Sequence, residues 1–189
     1  MFDLAAAFGT AIVENWPIWL VTITLIVAAV IDGFELKVPN WITFPFIMSG
    51  WVYSFAAFGL EGLGWSLLGT IVGLALLMPA YAIGGMGAGD VKLLAGVGAW
   101  VWVMDTTYAF AWTAVIGAVL AVAMVLYRRS MKKHTEQFWL ILNEIMVIKN
   151  PEQLATIAAQ RKSSMLLLPY GIPIAMGTIG YFIWMGKLV

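Results

Sequence analysis

The chain is built from long apolar runs that stop at a glycine, a proline or a lone charge, with little of the alternation that would mark half-buried strands. A helix rises about 1.5 Å per residue and a bilayer core is roughly 30 Å thick, so a crossing needs about twenty apolar residues. Six runs approach that length: 17–33, 41–58, 65–83, 90–104, 106–127 and 169–186. The pattern predicts an all-α polytopic membrane bundle of about six transmembrane helices. The first and fourth runs are short. Apolar residues from Ala5 to Val13 can lengthen the first, whereas Gly87, Gly89 and Asp105 hem in the fourth. Short spans draw their ends inward, so groups at those ends are expected to be slightly submerged. Trp16, Trp41, Trp65, Trp100, Trp102 and Trp184 fall near the proposed ends and read as interfacial anchors.

Residues 128–168 break the pattern. Arg128, Arg129, Lys132 and Lys133 close the fifth run, and a dense apolar stretch follows from Phe138 to Ile148, flanked by charges. It is too short for a crossing and predicts a cytoplasmic or interfacial helical segment between the fifth and sixth spans. Pro151 to Gln160 predicts a second, more polar helical stretch. A role for this region in gating substrate is one reading; surface packing is the simpler one.

Composition confirms the class that the pattern suggests. Hydrophobic residues make up 62% of the 189 and charged residues 11%, against about 25% charged in a soluble domain. That length suits one membrane-embedded domain over 1–189. A formal net charge of zero gives no sign of nucleic-acid binding, and the lack of cysteine removes disulfides, thiolate metal sites and a cysteine nucleophile. No basic stretch precedes the first run, so the N-terminus is expected to be retained. Placing that terminus outside puts Lys37, Lys92, Arg128, Arg129, Lys132, Lys133, Lys149, Arg161 and Lys162 on the cytoplasmic side, leaving only Lys187 opposite. The positive-inside rule favours that orientation.

Two aspartates then stand out. Asp32 closes the first run and Asp90 opens the fourth, so the orientation brings both to one face. An ionised carboxylate in a membrane segment is costly and usually functional. Asp90 has a structural excuse, since aspartate suits a helix N-terminus. Asp32 has less of one, because the negative end of the helix dipole opposes its charge. Asp3, Glu14 and Asp105 read as solvated tail or turn residues. Gly84, Gly85, Gly87 and Gly89 allow an irregular backbone to pass close to a carboxylate, and Pro39 with Asn40 turns the chain after Asp32, Asn40 capping the second span. Gly69, Gly73, Gly96, Gly98, Gly117, Gly177 and Gly180 read as close helix packing.

Two neighbouring carboxylates resist double ionisation and can activate water for hydrolysis. Small ion- or proton-coupled transport is the alternative use of the same groups; a noncatalytic assembly factor is a third. His134 is the only histidine and reads as a solvated residue in a basic stretch.

The segments Asp32-Gly33-Phe34-Glu35-Leu36-Lys37-Val38-Pro39-Asn40-Trp41-Ile42-Thr43 and Gly87-Ala88-Gly89-Asp90-Val91-Lys92-Leu93 resemble the two signature stretches of the type IV prepilin peptidases, membrane aspartic proteases with a Gly-x-Gly-Asp motif. Pro169-Tyr170-Gly171 is similar to a Pro-aromatic-Gly element often found in that family. The resemblance implies catalytic roles for Asp32 and Asp90, with Gly87, Gly89, Pro39, Asn40, Pro169 and Gly171 shaping loops or binding substrate, and no metal or organic cofactor. It implies cleavage of the basic leader from prepilin or pilin-like precursors at the cytoplasmic face of the bacterial inner membrane, in contact with lipid. Larger family members also methylate the new N-terminus and carry an extra segment, commonly with paired cysteines. With no cysteine and a short loop after Asp32, this chain is similar to the compact peptidases of tight-adherence pilus systems and is expected to lack methyltransferase activity.

Overall fold

The computed structural model describes residues 14–82, 84–127 and 169–188. Within them four helical elements follow in chain order: α1 (Trp16–Glu35), α2 (Asn40–Ala82), α3 (Ala88–Tyr127) and α4 (Gly171–Trp184). Three of the four are long and apolar enough to cross a membrane, and α4 is a shorter apolar helix. The chain is a multi-pass membrane helix bundle. The readings made for Ala5 to Val13 and for residues 128–168, including His134, lie outside the described residues.

The lengths of α2 and α3, 43 and 40 residues, would make straight rods of about 60 Å, twice the hydrocarbon thickness. Neither is straight. Gly59 (φ 65°, ψ −152°) breaks α2 and Trp102 (φ 65°, ψ −167°) breaks α3. Beyond Gly59 the chain doubles back: the Trp51 indole N–H donates to the Thr70 hydroxyl at 2.9 Å, a pair nineteen residues apart. Ser54 and Ser66, on opposite sides of the break, both donate to the Ala99 carbonyl. Glycine adopts that geometry freely, whereas a tryptophan there is strained by about 1–3 kcal/mol. Trp102 is kept in place by its indole N–H on the Ser54 hydroxyl, by an edge-on contact with Phe58 at 5.2 Å between ring centres, and by the Thr106 hydroxyl donating to its carbonyl.

Glycines set how closely these halves approach. A Cβ on Gly98 would collide with the Gly69 carbonyl, and one on Gly73 with the backbone of Leu94 and Ala95, so the second half of α2 lies backbone to backbone along the first half of α3. The first half of α2 packs parallel to that same stretch: Val38 meets Gly89, Phe46 meets Gly96, and Gly50 meets Ala99. α4 runs antiparallel to the second half of α3, pairing Tyr170 with Gly117, Gly177 with Thr113, and Tyr181 with Asp105. These pairings gather the C-terminus of α1, the α1–α2 turn, the N-terminus of α3 and the N-terminus of α4 at one end of the bundle.

Large apolar side chains such as Val30, Met48, Val52, Phe55, Ile71, Val115 and Ile183 point outward, as a lipid-facing surface requires. Three expectations from sequence need correction. Trp100 is buried rather than interfacial: its indole N–H donates to the Phe46 carbonyl at 2.9 Å, and its ring stacks on Tyr53. Asp105 is not a solvated turn residue, since its carboxylate accepts from the Tyr181 hydroxyl at 2.6 Å and pairs with Lys187 at 2.5 Å. α4 ends in a turn that presents Lys187 for this, with Lys187 N–H on the Phe182 carbonyl and Gly186 at φ 65°. Gly117, finally, faces the Tyr170 ring rather than a neighbouring helix backbone.

The Gly69–Gly98 contact yields a stability test. Gly98→Ala is expected to destabilise the bundle by about 1–3 kcal/mol through overpacking against backbone that has nowhere to go. Gly64→Ala, at a site with nothing within 4 Å, should be neutral or slightly stabilising; thermal unfolding in detergent compares the two.

Candidate active site

Asp32 lies in the last turn of α1, which continues past the predicted boundary at Gly33 to Glu35. Its backbone carbonyl accepts the Leu36 N–H at 2.9 Å, and Leu36 at φ 54° ends the helix in the left-handed conformation. The side chain turns inward and is 1% exposed. Its Oδ2 accepts the backbone N–H of Gly171 at 2.7 Å. Glycine at 171 leaves room for that bond: a Cβ there would stand 2.9 Å from Asp32 Oδ2 and 3.0 Å from Asp32 Cβ, and the carboxylate would have to shift. The Pro169-Tyr170-Gly171 element thus delivers a backbone donor to a carboxylate that sits at the unfavourable end of its own helix dipole.

Asp90 is 4% exposed and occupies the third position of α3. Its Oδ2 accepts the Gly87 N–H at 3.0 Å, which is half of a capping box, an acidic side chain reaching back to the amide before the helix. The structural and functional readings of Asp90 are therefore compatible. The glycines around it divide the work. Gly84 (φ 78°) stops α2, with its own N–H on the Tyr81 carbonyl and the Gly85 N–H on the Ala80 carbonyl. Gly87 supplies the amide for Asp90. Gly89 has no room for a side chain, because a Cβ would collide with the Val38 carbonyl.

That last contact docks the α1–α2 turn on the Gly-x-Gly-Asp segment. Val38 is buried, and the Pro39 carbonyl accepts the N–H groups of Ile42 and Thr43 to start α2. Asn40 is the first residue of the helix rather than its cap; its side-chain oxygen accepts from Lys92 Nζ at 2.9 Å, and the same ammonium lies 4.7 Å from the centre of the Phe44 ring. So the segment after Asp32 and the segment around Asp90 are fastened by a backbone contact and an exposed polar bridge. Tyr170 adds a second link: the residue after it holds Asp32, and its hydroxyl lies within electrostatic reach of the Asp90 carboxylate.

An open apolar groove of about 640 Å³ runs between α1 and α4. Gly33 and Ile172, the sequence neighbours of Asp32 and Gly171, line one end, while Ile26 and Ile183 line the other. Phe34, 86% exposed, stands at the carboxylate end. Every site residue expected from sequence therefore falls at the same end of the bundle. Sequence reasoning missed the Lys92–Asn40 bridge and the Gly117 contact. The first could be sought in the Asn40 and Lys92 motif positions; the second has no signal beyond a glycine in a helix.

A bundle of membrane helices with two buried carboxylates at one end, each held by a glycine amide from a short motif, defines a class of membrane aspartic hydrolase candidates. The type IV leader peptidase family model matches residues 19–122, which include both aspartates. This chain belongs to that family. It is similar to the prepilin leader peptidase/N-methyltransferase of Aeromonas hydrophila, 26% identical over 135 residues that cover 66% of this chain and 46% of the relative. It is likewise similar to the protein of that description from Aeromonas salmonicida (strain A449), 28% identical over 116 residues covering 58% and 40% of the two chains. The chain thus spans less than half the length of the curated relatives it matches. No solved structure matches it.

The Gly171 contact is testable on its own. Gly171→Ala is expected to cost about 1–3 kcal/mol, because the methyl displaces a buried carboxylate from its backbone partner. The loss should shrink when Asp32 is already alanine, since most of the collision is then gone; a double-mutant cycle on thermal stability measures the difference.

Proposed function

We propose that this chain is an aspartic endopeptidase that removes the basic leader from prepilin or pilin-like precursors, with Asp32 and Asp90 as the catalytic pair. The observation that carries the reading is the convergence of two buried carboxylates from distant motifs at one end of the bundle, in a member of the leader peptidase family. A proton-coupled transporter could use buried carboxylates too, but the family match favours hydrolysis.

The reaction needs one carboxylate ionised and the other protonated. The ionised group takes a proton from water as the water oxygen attacks the scissile carbonyl, and the protonated group donates to the carbonyl oxygen. A proton then passes to the amide nitrogen, the C–N bond breaks, and the pair returns to its starting charge. The glycine amides on Oδ2 of each aspartate fix the orientation of both groups before substrate arrives. Both orders of protonation are consistent with this geometry.

In this reading the two halves of α2, the two halves of α3, α1 and α4 each cross the membrane, giving six crossings with the N-terminus outside. The carboxylate end then faces the cytoplasm of a bacterial inner membrane, the side where the basic residues collect. The basic leader of a precursor would stay in the cytoplasm and its apolar stem would lie in the bilayer. The α1–α4 groove, opening beside Asp32, offers that stem a path. Lack of methyltransferase activity is part of the proposal, supported by the chain's lack of cysteine and the four-residue connection from Leu36 to Pro39.

Reconstituted protein should shorten a prepilin by its leader, and Asp32→Asn and Asp90→Asn should each lower the rate by at least about 10²-fold. Cleavage that survives either substitution would falsify the dyad. Rate against pH is expected to be bell-shaped, because a doubly ionised pair lacks the acid and a doubly protonated pair lacks the base. Incubation of purified protein, processed pilin and a methyl donor should leave the new N-terminus unmethylated; methylation detected by mass spectrometry would refute that part.

A further inference from the structure

Gly117 lies in the second half of α3, far along the chain from both aspartates and from the motifs around them. It is buried, and what it faces is the aromatic residue of the Pro169-Tyr170-Gly171 turn. A Cβ at position 117 would stand 3.1 Å from the Tyr170 hydroxyl oxygen, 3.3 Å from Cε2 and 3.4 Å from Cζ. The tyrosine therefore rests on a flat patch of helix backbone that only glycine leaves open. Its backbone is also tied down: the Pro169 carbonyl accepts the Ile172 N–H at 3.2 Å, and the Tyr170 carbonyl accepts the Ile174 N–H at 3.1 Å. One peptide further on, the Gly171 N–H holds Asp32 Oδ2 at 2.7 Å. Ring, turn and amide form one continuous line of contacts from α3 to the carboxylate.

We propose that Gly117 and Tyr170 are positioning residues for the hydrolysis: the gap at Gly117 seats the Tyr170 ring, and that seat sets where the Gly171 amide holds Asp32. The inference rests on the peptidase reading and deepens it, because it assigns a catalytic consequence to a glycine outside every motif. Small displacements matter here. A misplacement of about 1 Å in a reacting group can cost on the order of 10²-fold in rate, and a methyl at 117 must move the ring by a few tenths of an ångström.

The test is prepilin cleavage by the full chain in liposomes, with thermal unfolding followed in parallel. Gly117→Ala is expected to lower kcat about tenfold while KM stays within about twofold, since the substrate path is untouched. The nearest atom to the added methyl is the tyrosine hydroxyl, so adding Tyr170→Phe to Gly117→Ala should recover several-fold of the lost kcat. Gly64→Ala serves as the control helix substitution and should keep the wild-type rate. A kcat for Gly117→Ala within twofold of wild type, or a double variant no faster than Gly117→Ala, overturns the proposal. If Gly117→Ala does not fold, Tyr170→Ala with Gly117 intact is read instead: a kcat loss of about tenfold supports the seat, and an unchanged kcat overturns it. Absence of cleavage by wild type, or cleavage by Asp32→Asn, would bring down the peptidase reading and this inference with it. A refuted seat beside an intact Asp32 dependence would bring down the inference alone.

Discussion

A carboxylate placed among membrane helices has to be met by donors, and at the carboxylate end of this bundle backbone amides of glycine are among them. Asp32 takes the Gly171 N–H and Asp90 takes the Gly87 N–H, each through Oδ2. A side-chain cation would bring a second charge into an apolar setting and add its own desolvation cost. An amide adds none. The requirement then falls on the backbone, which has to approach within hydrogen-bonding distance, and glycine at 171 is what permits that approach.

Much of the surrounding architecture follows from bringing those amides into place. Gly87 belongs to the turn between α2 and α3, so α2 must stop cleanly, which it does at Gly84. The α1–α2 turn must lie against the same segment, and the missing side chain of Gly89 lets Val38 do so. Gly171 begins α4, so α4 has to be held at both ends. At the carboxylate end it is held by Asp32 and by the seat of Tyr170 on Gly117. At the opposite end Asp105 takes the Tyr181 hydroxyl and the Lys187 ammonium. That cluster clamps α4 to α3 at the end away from Asp32 and Asp90.

The residues that the candidate site gathers are almost all legible in the sequence, for reasons that can be named. Carboxylates at the ends of apolar runs are rare because they are costly, and glycine, proline and asparagine clusters announce where the backbone must turn. What was misread shares a different property. Distance from a predicted helix end makes Trp100 read as an anchor and Asp105 as a turn residue, but Trp100 donates inward to the Phe46 carbonyl and Asp105 turns to Tyr181 and Lys187. Asn40 reads as a cap from its neighbours in sequence, whereas its side chain meets Lys92 from another helix. Each of these three concerns which partner a polar group finds.

Sequence by itself determined that the chain is a bundle of membrane helices, that a break falls just after Phe58, and which two carboxylates need explaining. Those properties follow from transfer energies and backbone preferences that act locally along the chain. Tertiary structure decided which amide holds Asp32, that α3 breaks at Trp102 inside a predicted run, and that one glycine among many supports a tyrosine beside the candidate site. These depend on which helix faces which, and in an apolar chain nearly every helix presents similar faces. Only the packed arrangement distinguishes Gly117 from the glycines that merely let helices touch.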